Sequence, residues 1–197
     1  MKNVCIIFLL SIIISLSAFG FVETKNAGGM YATNTNIASN PQNYLRIHVR
    51  ADSNEAEAQE VKYKVRDCVV EYLTPLVAEY HTKAEAVAGL QSKLPQIQRL
   101  ANALLQREGF DYGATVSLTN EEFPTRVYDG YVLPAGQYTS LILRLGRGEG
   151  DNWWCVVYPP LCFASVDTDV IYKSKILEII EKWQGQVRDE KEGKNFE

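Results

Sequence analysis

The sequence predicts an α+β domain: a mostly antiparallel sheet with helices packed on one face, closed by a C-terminal helix. Three observations carry this. Between Asp52 and Gly109 apolar residues recur every three or four positions, the period of an amphipathic helix. After Gly109 the period falls to two, as in half-buried strands, and from Thr168 the helical period returns.

The chain opens with Lys2 and an uncharged stretch, Asn3 to Val22, which holds the apolar runs Val4 to Leu10 and Ile12 to Ile14. Residues 1–22 read as an export signal, and Ala18-Phe19-Gly20 offers the small residues that a signal peptidase cuts beside. An uncleaved membrane anchor is the alternative, and the serines from Ser11 to Ser17 favour cleavage by lowering the hydrophobicity. Cys5 leaves with the signal. Residues 23–43, with Gly28-Gly29 and five asparagines, bury too little to offset the entropy of ordering and read as a flexible linker.

An α+β signalling domain follows over 44–166. Leu45-Arg46-Ile47-His48-Val49-Arg50 alternates as a strand, with His48 turned towards water. Asp52 and Glu55 have capping-box spacing ahead of a helix whose apolar stripe is Ala58, Val61, Val65, Cys68, Val69, Tyr72, Leu73 and Leu76, ended or kinked by Pro75. Thr82 and Glu85 repeat the box before Val87, Leu90 and Leu94; Pro95 interrupts this helix, which resumes through Ile97, Leu100, Ala101, Leu104 and Leu105 and stops at Gly109. Strands are expected at Thr115 to Thr119, Thr125 to Leu133, Gln137 to Leu145 and Trp153 to Tyr158, separated by Asp129-Gly130, Pro134-Ala135-Gly136 and Gly146 to Asn152. Residues 167–197 form the last helix, from Thr168 to Trp183 with Ile171, Ile176, Ile179 and Ile180, and a charged tail.

The balance of 24 acidic against 20 basic side chains, a net charge of −4, argues against nucleic acid as a partner, because such affinity comes from neutralising phosphates. No metal and no cofactor are expected: three mature cysteines and His48 and His81 lack any paired ligand spacing. Gly146-Arg147-Gly148-Glu149-Gly150 precedes a strand instead of a helix, so it reads as a flexible hairpin loop and not as a phosphate cradle.

Cys155 and Cys162 are the candidate disulfide, since Pro159-Pro160 in the intervening six residues can turn the chain back on itself. Cys68 lies on an apolar stripe and reads as an inert core thiol. Aromatic residues crowd the region from Tyr128 to Phe163, and Trp153 and Trp154 must point to opposite faces of their strand. One of them is therefore expected on a surface, unless a helix covers the second face. Asn152, Trp153, Trp154, Tyr158, Pro159 and Pro160 are the candidate partner-binding residues. Two other classes stay open: a cell-envelope hydrolase using Cys155 with His48 or His81, and a peptidoglycan-binding module stacking sugars on the aromatics.

Several stretches resemble the stage II sporulation protein R family of endospore-forming bacteria. They are Leu45 to Ser53, Lys62 to Asp67, Phe123 to Tyr128 and Leu133 to Tyr138, and above all Gly148 to Phe163 with its Asn-Trp-Trp-Cys and Pro-Pro-Leu-Cys motifs. The resemblance implies no enzyme. It implies a signalling protein exported by the forespore into the space between the forespore and mother-cell membranes, where it acts close to the membrane. Its implied partner is a membrane-embedded aspartic protease of the mother cell, which then removes the pro-sequence of the sigma factor sigma-E. Asp129, Arg147 and Cys68 depart from the family pattern without removing a functional group.

Overall fold

The computed structural model describes residues 36–37, 40–128, 131–163 and 170–194. The export signal, Cys5, the Asp129-Gly130 turn, the helix start at Thr168 and most of the linker lie outside the described residues.

The sheet grows around β2 (Leu45–Arg50), whose alternation gives two unlike faces. Leu45, Ile47 and Val49 are fully buried, and the register sets Ile47 between Leu141 and Cys155 and Val49 between Leu143 and Trp153. These partners lie on β6 (Gly136–Leu145), parallel to β2, and β7 (Asn152–Tyr158), antiparallel to it. β3 (Ala114–Phe123) pairs antiparallel with β6, which gives the order β3-β6-β2-β7. A smaller sheet combines β1 (Asn36–Ile37), β5 (Tyr131–Leu133) and β4 (Arg126–Tyr128). The first lies within the expected linker, where Pro41–Asn43 also form a 3-10 turn capped by the Asn40 side chain. The expected strand stretch from Thr125 to Leu133, with its separator at Asp129-Gly130, is thus two short antiparallel strands.

The apolar layer of the sheet packs on α1 (Ala56–Val77) and α2 (Lys83–Arg107) through Val61, Val65, Val69, Leu73, Leu90 and Ile97. Pro75 lies in the last turn of α1 and Pro95 inside an uninterrupted α2. The carbonyls they leave without an amide belong to Glu71 and Gln91, both exposed residues open to water, and α2 runs through Pro95 where an interruption was expected. The Thr82 hydroxyl accepts from the Glu85 amide at 3.2 Å while the Glu85 carboxylate accepts from the His81 amide at 2.8 Å, closing the second expected box. The first box does not form, because α1 starts at Ala56 and Asp52 is taken by another partner: its carboxylate accepts the Arg147 amide at 2.8 Å and pairs with the Arg147 guanidinium at 3.2 Å.

That contact belongs to the glycine-rich loop. The loop does not close a hairpin, since β2 lies between β6 and β7; it crosses the end of β2 and docks there, the Glu149 and Gly150 amides donating to the Asp52 and Ala51 carbonyls. Gly146 and Gly148 take positive φ of 53° and 67°, and a Cβ on Gly150 would run into the Ser53 backbone. α3 (Val170–Lys194) runs well past Trp183 into the expected charged tail. It packs through Ile176, Ile180, Trp183 and Val187, with the Trp183 ring 5.9 Å from Tyr44 and 4.6 Å from Tyr131.

Candidate functional site

The second face of the sheet carries Arg46, His48 and Arg50 of β2, and it is not flat. Phe123 on β3 and Trp154 on β7 stand on the two outer strands, about 14 Å apart in a flat sheet of this width. Their ring centroids are 4.7 Å apart, so the sheet coils enough for side chains of its two outer strands to meet over this face. Coiling, with the small sheet, covers a face that was expected to meet water unless a helix lay over it.

Inside the coil Arg46 and His48 are fully buried, which corrects the expectation that His48 faces water. The Arg46 guanidinium lies 4.2 Å from the Phe123 ring centroid, 4.9 Å from Tyr138 and 5.6 Å from Tyr128, and donates to the Tyr128 hydroxyl at 2.7 Å. Its Nε and Nη1 are buried without hydrogen-bond partners. Aromatic faces replace the usual carboxylate as the source of negative potential, and burial lowers the Arg46 pKa. The same burial raises the Tyr128 pKa, against the neighbouring Arg46 charge.

His48 lies between Trp154, stacked with centroids 3.7 Å apart, and the Phe123 edge at 5.8 Å. Burial lowers its pKa to about 4; the charges of Arg50, Arg46 and Arg144 push the same way, and the Asn152 side chain opposes them. The ring is therefore neutral at pH 7, and since the ionised Glu121 carboxylate can only accept, Nδ1 carries the proton and donates to it at 3.0 Å. Glu121 also pairs with Arg50. Arg126 reaches the outer side of Trp154 at 5.8 Å.

Trp153 points the other way, to the helix side, where the Arg66 guanidinium of α1 lies 5.4 Å from its centroid and 4.8 Å from that of Tyr63. Neither tryptophan is fully exposed; both are half-buried, which corrects the expectation of one surface tryptophan. Of the other partner-binding candidates, Asn152 is exposed, Tyr158 is half-buried with its hydroxyl donating to the His81 carbonyl, and Pro159 and Pro160 are buried.

Cys155 is bonded to Cys162 across 6.3 Å between Cα atoms. Its register opposite Ile47 sets it on the helix-facing side of β7, away from His48, so the two do not form a nucleophile and base. Cys68 is the free thiol among the described residues, and burial raises its pKa.

Tyr128 was singled out from the sequence only as one of the crowded aromatics, and Arg46, Glu121, Phe123, Arg126 and Arg144 were not named as site residues. The signal that could have found them is the basic triplet Arg46, His48 and Arg50 on one face of an apolar strand. The separated stretches that carry the family resemblance meet around this cluster: Arg46 and His48 come from one, Phe123 and Tyr128 from another, Tyr138 and Trp154 from two more.

The family described as Stage II sporulation protein R matches residues 41–168. A relative named Stage II sporulation protein R, from Bacillus subtilis (strain 168), is 37% identical over 123 residues, which are 62% of this chain and 55% of the relative. The chain thus spans about half the length of the curated relative it matches. No solved structure matches it.

Proposed function

Because the chain belongs to the stage II sporulation protein R family, we propose that it is an exported signal of endospore formation that activates a membrane-embedded aspartic protease. That protease would process the mother-cell pro-sigma-E factor, coupling gene expression in the two compartments. The observation that carries the reading is the extent of the match, residues 41–168, which runs from before β2 to beyond β7 and takes in the whole four-stranded sheet.

Activation without chemistry requires that the signal bind the active state of its target more tightly than the inactive one. The surface that suits this is the start of β7 with the adjoining turn of α1: Asn152 and Trp153 beside Arg66 and Tyr63, the last 43% exposed. The Cys155–Cys162 bridge anchors the strand that presents it.

The test is to express the chain, with its export segment, in a heterologous cell carrying the protease and the pro-sigma factor, and to follow processing by immunoblot. Processing only when all three are present is expected. No processing by a chain proven exported and folded would overturn the activator role.

A further inference from the structure

β3 is the outer strand on the side of the sheet opposite β7, and among the described residues no strand pairs with its free edge, where the Ala114 amide donates to the Asn102 side chain at 2.6 Å. Its ladder to β6 runs without a shift from Ala114 to Phe123, and it contains neither proline nor lysine. Edges left free are normally shortened, bulged or given lysines, because an open row of amides and carbonyls recruits another strand. Thr115, Ser117, Thr119 and Asn120 along this edge are exposed.

The two sides of the edge differ in chemistry. On the concave side a cleft of about 230 Å³ is walled by Thr115, Ser117, Thr119, Ile142 and Arg144, and by Glu121, whose carboxylate is taken by Arg50 and His48. Arg144 stands directly opposite Arg50 in the register, an arrangement that costs energy between like charges. Glu121 pairs with Arg50, whose Nε is nonetheless buried without a partner, and Arg144 has no ion pair among the described residues. On the helix side the strand borders a groove walled by Leu94, Pro95 and Val116 and rimmed by Gln98, Arg99 and Asn102.

A strand added to β3 would send alternate side chains to these two sides. We propose that the β3 edge takes up an extended acidic segment of a partner protein, pairing backbone to backbone, with a carboxylate seated at Arg144 and apolar neighbours over Val116. The acidic positions fall opposite Thr115 and Ser117, because Glu121 repels them at the other end of the same face. The inference goes beyond the activator reading: it concerns the edge away from β7 and stands whichever protein is the partner.

The probe is a short labelled peptide alternating glutamate and valine, titrated by fluorescence anisotropy against the protein expressed from its full sequence. Saturable binding is expected, weakened at least about tenfold by replacing glutamate with lysine, by N-methylating alternate amides of the peptide, or by Arg144→Glu in the protein. Arg144 is exposed and stands opposite Arg50, so the thermal midpoint of that variant should hold or rise and show that it is folded. Equal binding by the lysine peptide, by the methylated peptide or by Arg144→Glu overturns the proposal. So does a monomer that binds no peptide, or a dimer with β3 amides protected from hydrogen exchange, which assigns the edge to a second copy. Failure here with pro-sigma-E processing intact would remove the edge and leave the activator reading standing.

Discussion

His48 lies face to face with Trp154, ring centroids 3.7 Å apart and planes 23° from parallel. An imidazolium would gain from that aromatic face and from Glu121, yet burial and three nearby arginines outweigh both and hold the ring neutral. The fold is thus tied to an uncharged histidine.

Stability should fall in acid for this reason. The folded pKa is about 4 against an ordinary value of 6.5, so below 6.5 the unfolded chain binds a proton that the folded chain does not. The His48 contribution is complete above about pH 6.5, is lost progressively as pH falls, and is gone below about pH 4. A shift of this size corresponds to about 3 kcal/mol. Urea unfolding midpoints between pH 7 and pH 4 should drop for the native chain and drop less for His48→Gln; parallel curves would contradict the assignment.

The Phe123–Trp154 contact closes the coil, so the two residues should behave as one unit. Phe123→Ala and Trp154→Ala should each cost about 3–5 kcal/mol, and the double variant should cost less than their sum by about 1 kcal/mol. Chemical denaturation of all four proteins measures the coupling. Strict additivity would mean that the edges of the sheet are held apart.

Arg46 makes a sharper comparison. Its guanidinium lies between aromatic rings and keeps one hydrogen bond, to Tyr128, so what the cage needs is a long, weakly hydrated group. Lysine carries a compact and strongly hydrated charge; methionine carries none. Arg46→Lys should therefore be the less stable variant, by about 2 kcal/mol, although it preserves the charge. A lysine variant as stable as the native chain would show that charge alone matters there.

The helices and the strands of the main sheet were legible in the sequence because their periods are local: Val61, Val65 and Val69 announce a helix face, and Leu45, Ile47 and Val49 a strand face. Burial of His48 was not legible. A strand with one wet face turns His48 to water, and only the coiling that carries Phe123 over to Trp154, between residues far apart in the chain, closes that face. Proximity in sequence also misled at the glycine-rich loop, where β6 and β7 follow one another but β2 inserts between them. The Cys155–Cys162 pair was legible because its geometry is local, whereas the Arg46 cage gathers three aromatics from distant segments and leaves no local pattern.

The disulfide closes a short loop between positions seven apart, and loop-closure entropy places its contribution at about 2–3 kcal/mol. Alkylation of the unreduced, denatured protein should label Cys68 and spare Cys155 and Cys162, as read by peptide mass. Cys155→Ser with Cys162→Ser should lower the unfolding midpoint while keeping partial activation. Full labelling of all three thiols would remove the bridge.

The two tryptophans should separate stability from signalling. Trp154 is held by His48 and Phe123 inside the coil, so Trp154→Ala should lose processing together with stability. Trp153 is half-buried against the core beside Val49, and Arg66 bridges its ring to the exposed Tyr63. Tyr63→Ala should therefore lower stability by about 1 kcal/mol or less and Trp153→Ala by about 2 kcal/mol, yet the pair should reduce processing by about tenfold when combined, since aromatic anchors dominate interfaces. The comparison is made on folded protein, with thermal midpoints beside immunoblots of pro-sigma-E. If the combined variant stays folded and activates fully, the contact surface lies elsewhere than β7 and α1, and the free edge of β3 becomes the face to map first.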